Sequence, residues 1–197
     1  MTASADQHLA PVAGVRGIQR VWDPRVWGTI IGAVGASVFV MANRVDLPGA
    51  LPLVALLTWA VAFAAYVWCV FVARRAFGPV PPVGRPSGLV YVASVLGMLL
   101  LIRLGTAVVD AADRPGLRPA VIVVAVGLHF LPFAAAFHTP MFTRLGTLMA
   151  LIGAIGLGLG WLLDPRWAAA AAVLTGVVML VMIAADAAAR VRPARGR

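Results

Sequence analysis

Six long apolar runs, separated by short polar stretches, dominate this sequence of 197 residues. A helix needs about 20 mostly apolar residues to cross the hydrocarbon core of a membrane, and each run is long enough. Only helices and closed barrels satisfy their backbone polar groups in lipid, so the pattern predicts an all-α, polytopic membrane bundle of six transmembrane helices. The runs are 26–42, 49–73, 88–109, 119–137, 141–163 and 166–189.

The composition of the chain excludes most classes of soluble protein. Hydrophobic residues make up 62% of the sequence and charged residues only 12%, whereas charged residues are about a quarter of an average soluble domain. The net charge of +9 would suit a nucleic-acid partner if the cations shared one face. The cations are all arginines, and all but one lie in short loops or near the chain ends. We therefore expect the lipid bilayer as a partner and no nucleic acid.

The distribution of the arginines predicts the orientation of the bundle. With the amino terminus inside, eleven arginines lie on the inner side and four on the outer side. Short cytoplasmic loops carry the excess of positive charge, so we expect both ends in the cytoplasm, an N-in/C-in topology in the plasma (inner) membrane of a bacterial-type cell. Residues 1–25 then form a cytoplasmic tail, residues 26–189 the transmembrane domain, and residues 190–197 a basic cytoplasmic tail.

Rows of small residues spaced four apart mark faces where helix backbones approach closely in lipid. The first, fifth and sixth runs carry such rows, which predicts that these three helices form much of the packed interior. We expect the substitution Ala154→Leu to loosen the bundle. The rows are Gly28, Gly32 and Ala36; Gly146, Ala150, Ala154 and Gly158; and Ala168, Ala172 and Gly176.

Ionisable residues are costly in hydrocarbon, so those inside the runs are candidates for a functional site. The third run contains Arg103, and the fourth contains His129 close to the bilayer midplane. Pro132, three residues after His129, weakens the helical hydrogen bonding beside it. We therefore hypothesise an intramembrane polar site of Arg103, His129 and Pro132. The structural alternatives are that Arg103 snorkels outward or pairs with Asp110, and that His129 bonds to a neighbouring backbone.

The sequence lacks the motifs of familiar enzymes. The chain has no Glu and therefore no His-Glu zinc motif, and it has neither a Gly-x-Ser-x-Gly turn nor a pair of intramembrane acids. A haem held by two histidines would need a second histidine at the midplane, which only another copy of the chain could supply. We expect no enzymatic activity, no metal and no cofactor.

The segment 127–134, Gly-Leu-His-Phe-Leu-Pro-Phe-Ala, lies in the fourth run. It resembles a motif of an uncharacterised family of small multi-pass proteins of the bacterial inner membrane. The resemblance covers the fourth and fifth helices and implies an integral membrane protein of that class. Because the family has no settled activity, the resemblance implies no mechanism.

Two interpretations of the function stay open. The first is a small transporter or channel-like bundle, which requires a solvent-connected cavity that reaches His129. The second is a non-catalytic membrane subunit, scaffold or accessory protein acting through its helix faces, which requires a filled interior and a groove or small-residue face towards the lipid. The buried polar residues slightly favour transport. Besides lipid, the partners we expect are a second copy of the chain or another membrane protein.

Overall fold

A computed structural model of the protein describes residues 15–75, 77, 86–137 and 140–189. Six helices in this part of the chain are long and apolar enough to cross a membrane, judged by length and composition. The prediction of an all-α fold with six such helices is confirmed. They are α1 (Pro24–Asn43), α2 (Leu51–Val67), α3 (Pro86–Ala111), α4 (Arg118–Phe137), α5 (Pro140–Leu162) and α6 (Arg166–Ala189).

The helix bounds differ from the predicted runs by at most two residues, with one exception. The second run was expected to end at residue 73, whereas α2 ends at Val67 and continues as a π-helical turn, Trp68–Val72. Residues 1–14 of the predicted amino-terminal tail and the whole predicted basic tail, residues 190–197, lie outside the described residues.

Residues 15–20 of the expected amino-terminal tail have regular structure. A short strand β1 (Val15–Arg16) pairs antiparallel with β2 (Arg74–Arg75), which directly follows the π-helical turn and Ala73. A 3-10 turn, Gly17–Arg20, comes next and packs against the π-helical turn. These contacts join the segment before α1 to the end of α2 at this end of the bundle.

Asp23 fixes the start of α1. Its carboxylate accepts a hydrogen bond from the backbone N–H of Arg25 at 2.9 Å, which caps the first turn. The Arg25 guanidinium donates to the same carboxylate at 3.0 and 2.8 Å. These side-chain hydrogen bonds hold the pKa of the Asp23 carboxyl below its usual value.

α6 is the central helix of the described bundle. Of its most apolar window, 61% is buried, compared with 6% for α3. α4 and α5 form the most extensive helix pair, and α3 packs mainly on α4. α1 and α2 each contact α6 more than they contact one another, so both helices pack mainly on α6 and only loosely on each other.

The packing face of α5 differs from the predicted row of small residues. Gly146 is buried and Ala150 partly buried, but Ala154 and Gly158 are exposed. A step of four residues overshoots one helical turn by about 40°, so a row with that spacing has drifted by about 120° after three steps. The glycines that stay on the buried face follow steps of seven, three and four residues, which keep close to whole helical turns: Gly146, Gly153, Gly156 and Gly160.

The row of α1 is also only partly at a helix contact. Gly28 is exposed, and an added Cβ atom there would meet nothing within 4 Å. Gly32 and Ala36 do face α6, because a Cβ atom at Gly32 would lie 2.9 Å from the Ile183 side chain and the Ala36 carbonyl lies against Gly176. The sixth-helix row is buried throughout: Ala168, Ala172 and Gly176.

Candidate functional site

His129 lies on α4, eleven residues after its first residue, Arg118. At a rise of about 1.5 Å per residue, this places it about 16 Å along the helix and near its middle. Its partner is Ser94 of α3. The Ser94 Oγ lies 2.7 Å from the His129 Nδ1 and 2.9 Å from the His129 backbone oxygen.

One proton arrangement satisfies both of these contacts. The single hydroxyl proton of Ser94 is donated to the His129 carbonyl, and the Ser94 oxygen accepts from an Nδ1–H group of the imidazole. In the neutral ring this assigns the proton to Nδ1 and leaves Nε2 as an acceptor. Two hydrogen bonds between Ser94 and His129 therefore connect α3 to α4.

Aromatic rings pack beside this polar pair. The centroids of Phe130 and Phe133 lie 5.5 and 6.1 Å from that of the His129 ring. Phe142 of α5 stacks on Phe130 at 5.6 Å and meets Phe133 edge-on at 5.0 Å. Tyr91 of α3 adds an edge contact to Phe133. The walls beside His129 are thus apolar, and the ring itself is half-buried.

The structure does not bring Arg103 to His129. Ser94 marks the level of His129 on α3, and Arg103 lies nine residues further along, about 13 Å away along the axis. The expected alternative partner, Asp110, receives two hydrogen bonds of 2.7 Å from Arg118 instead. Arg103 is exposed on the surface of α3, which agrees with a side chain that snorkels towards the headgroups.

Pro132 is one turn from His129 and is exposed. α4 continues through it to Phe137, although a proline cannot donate to the carbonyl of Leu128 four residues earlier. Of the three predicted site residues, His129 and Pro132 are therefore neighbours on one helix, and Arg103 stands apart.

Sequence patterns did not indicate two further polar residues, the half-buried Ser94 and the fully buried Thr175. Ser94 could have been found from the hairpin register, since Ser94 and His129 lie 18 and 17 residues from residue 112 in the loop between α3 and α4. Thr175 of α6 is fully buried, and its Oγ1 has no hydrogen-bond partner within the described structure. No sequence pattern marked Thr175.

A cavity of the described residues lies elsewhere, between α1 and α2. This groove, called the α1–α2 groove below, has a volume of about 610 Å³ and opens at the surface of the bundle, where its lining residues Val34 and Val38 are exposed. A second cavity of about 470 Å³ lies between the α1–α2 loop and the start of α6. His129 lines neither cavity. The α1–α2 groove is lined by Ile30, Ala33, Val34, Ser37, Val38 and Met41 of α1, and by Trp59, Phe63, Tyr66, Val67 and Phe71 of the second span.

Within the described residues, no group of three His, Cys, Asp or Glu side chains is arranged to hold a metal ion. None of the protein-family models, curated proteins or solved structures compared with the chain matches it. The resemblance of the segment 127–134 to a bacterial inner-membrane family therefore stays a prediction.

Proposed function

We propose that the protein is a multi-pass component of a bacterial-type plasma membrane that acts without catalysis, as a subunit, scaffold or accessory protein. The α1–α2 groove carries this proposal. Its lining residues Val34 and Val38 are both 59% exposed, so the groove opens towards the lipid rather than towards an interior path. An apolar groove of this kind is suited to bind a hydrophobic component of the membrane.

The surroundings of His129 favour this function over transport. A transport path needs polar groups that water can reach, whereas Ser94 and the His129 carbonyl bond to one another. Phe130, Phe133 and Phe142 pack beside them. The arrangement fits a structural tie between α3 and α4.

The arginines support the N-in/C-in orientation. Arg16, Arg20, Arg25 and Arg74 lie at one end of α1 and α2, and Arg44 lies at the other end. The first of these ends then faces the cytoplasm, because positive charge is retained there.

The test is the water access of position 129. His129→Cys is made in a Cys69→Ser background and treated with a membrane-impermeant thiol reagent from each side in turn. The expected result is no labelling of the folded protein and full labelling after denaturation. Labelling of the folded protein from either side would overturn the proposal and support a transport path.

Two exposed positions control for access and orientation in the same background. Ile18→Cys lies in the 3-10 turn before α1, and Ala112→Cys lies in the loop after α3. We expect Ile18→Cys to react only from the cytoplasmic side and Ala112→Cys only from the opposite side. The reverse result would show that the orientation is wrong without affecting the conclusion on His129.

A further inference from the structure

The α1–α2 groove is a long slot with hydrocarbon walls. Its lining runs from Ile30 to Met41 on α1, which is about 16 Å along the helix. Its other wall is a series of rings in contact, with centroid distances of 5.2, 5.7 and 5.8 Å between Trp59, Phe63, Tyr66 and Phe71 in turn.

Two polar side chains that line the groove are hydrogen-bonded within it, and its open surface is almost entirely apolar. The indole N–H of Trp59 donates to the Ser37 Oγ at 3.1 Å, and the Ser37 hydroxyl donates to the Ala33 carbonyl at 2.8 Å. An occupant therefore needs no hydrogen-bonding group along this length. A flexible hydrocarbon chain meets that requirement.

One end of the groove leads to a cluster of arginines, called the basic rim below: Arg16, Arg20, Arg25 and Arg74. Arg25 lies five residues before Ile30, and Arg74 lies three residues after Phe71. By helix rise, Arg25 is about 7 Å beyond the Ile30 end of the groove along α1.

Several contacts hold the basic rim in place. The guanidinium groups of Arg20 and Arg25 lie over the ring of Phe77, at 5.7 and 5.2 Å from its centroid. Pairing of β1 with β2 sets Arg16 opposite Arg74. Phe77 in turn packs against the apolar cluster that includes Tyr66 and Val70 of the second span. The rim and the groove are therefore parts of one packed unit.

The charge of the rim favours an anion. The only acid in segments 15–25 and 73–77 is Asp23, which is paired with Arg25. Arg16, Arg20 and Arg74 are exposed at the surface. Cationic side chains at this level of a bilayer attract anionic headgroups.

We propose that the α1–α2 groove and the basic rim together bind one anionic phospholipid. One acyl chain of the lipid lies in the groove beside the aromatic wall, and the phosphate lies against Arg20 and Arg74. This inference rests on the proposed function and names the ligand class of the same groove. A transmembrane helix of a partner or of a second copy would use the apolar wall, but the concentration of arginines at one end favours a lipid headgroup.

The test measures lipid retention by the full chain. The protein, purified in detergent, is incubated with equal amounts of phosphatidylglycerol and phosphatidylcholine of the same acyl chains, and the bound lipid is identified by native mass spectrometry. We expect one retained phosphatidylglycerol per chain. The preference over phosphatidylcholine should be roughly 30-fold, the factor that corresponds to about 1 kcal/mol for each of two arginines.

A matched pair of variants tests the groove. Val38→Trp fills it, while Ile31→Trp places the same side chain on an exposed position of α1 that does not line it. We expect Val38→Trp to lose most of the retained lipid and Ile31→Trp to keep it, at similar Tm. If Val38→Trp fails to fold, Val34→Trp replaces it, since Val34 also lines the groove and is equally exposed.

A second pair of variants tests the basic rim, and each variant removes two positive charges. Arg20→Gln with Arg74→Gln should abolish the preference for phosphatidylglycerol. The control combines Arg144→Gln with Arg166→Gln, two exposed arginines that belong to neither the groove nor the basic rim, and should keep that preference.

Equal retention of the two lipids by the wild type, or equal loss in Val38→Trp and Ile31→Trp, would overturn the lipid inference. Dimers in the same spectra that Val38→Trp dissociates would also overturn it, and would show that the groove binds a second copy. The proposed function has a separate test, and it fails if position 129 is labelled in the folded protein.

Discussion

A single added methyl group tests the interface between α4 and α5. A Cβ atom at Gly153 would lie 2.8 Å from the backbone nitrogen of Val124 and 2.9 Å from Cγ1 of Val123. Carbon atoms in contact prefer about 3.5–4.0 Å, and a backbone nitrogen moves only with its helix. Gly153→Ala must therefore push α5 away from α4. Overpacking of this kind costs about 1–3 kcal/mol, and each kcal/mol lowers Tm by about 2–4 °C in a chain of this size.

The matched control is Gly158→Ala, five residues further along α5, where nothing lies within 4 Å of an added Cβ atom. Both variants and the wild type are unfolded thermally in the same detergent and followed by circular dichroism. We expect Gly153→Ala to lose several degrees of Tm. Gly158→Ala should match or exceed the wild type, because alanine favours a helix by about 1 kcal/mol over glycine. Equal Tm values for the two variants would refute the assigned packing face.

Three other substitutions test separate contacts by the same thermal assay. Ser94→Ala should lower Tm, because it removes the hydrogen-bond partner of His129 at a cost of about 1–3 kcal/mol, and an unchanged Tm would argue against the tie between α3 and α4. Asp23→Asn should reduce the loss of Tm between about pH 6 and about pH 3. The Arg25 hydrogen bonds lower the pKa of Asp23, so its contribution is complete above about pH 4 and is lost as the pH falls through the lowered pKa. An equal acid-induced loss in the variant would contradict this assignment. Ala154→Leu should leave Tm unchanged, because Ala154 is exposed. A lower Tm would support the packing row of small residues that the sequence predicts.

The spans could be predicted from the sequence because their ends are decided locally. An apolar run stops where loop-forming and charged residues begin, as at Asp164-Pro165 before α6 or at residues 110–116 between α3 and α4. The end of α2 is the exception. The turn Trp68–Val72 is as apolar as the helix before it, and the change to π-helical hydrogen bonding occurs where the distant segment Gly17–Arg20 packs against it.

The candidate site could be predicted only in part. His129 and Pro132 stand out from the apolar run that contains them. Ser94 has a small side chain that barely changes the hydropathy of the third run. Its pairing with His129 depends on the register of α3 against α4. The α1–α2 groove depends on both helices packing on α6 rather than on each other, which is a long-range property that no local pattern encodes.

Hydropathy shows that a helix can span lipid, but it does not show whether the helix lies inside the bundle. The best windows of α3 and α6 have mean hydropathies of 2.2 and 2.5, yet only α6 is largely buried. The two helices differ in small residues, since α6 has ten alanines and one glycine among 24 residues, whereas α3 has six leucines and only three alanines and three glycines among 26. Lipid tails accommodate leucine as well as a protein neighbour does, so a central position benefits helices whose backbones can be approached closely. α1 and α2 accordingly both pack on α6, and the space left between them becomes the groove.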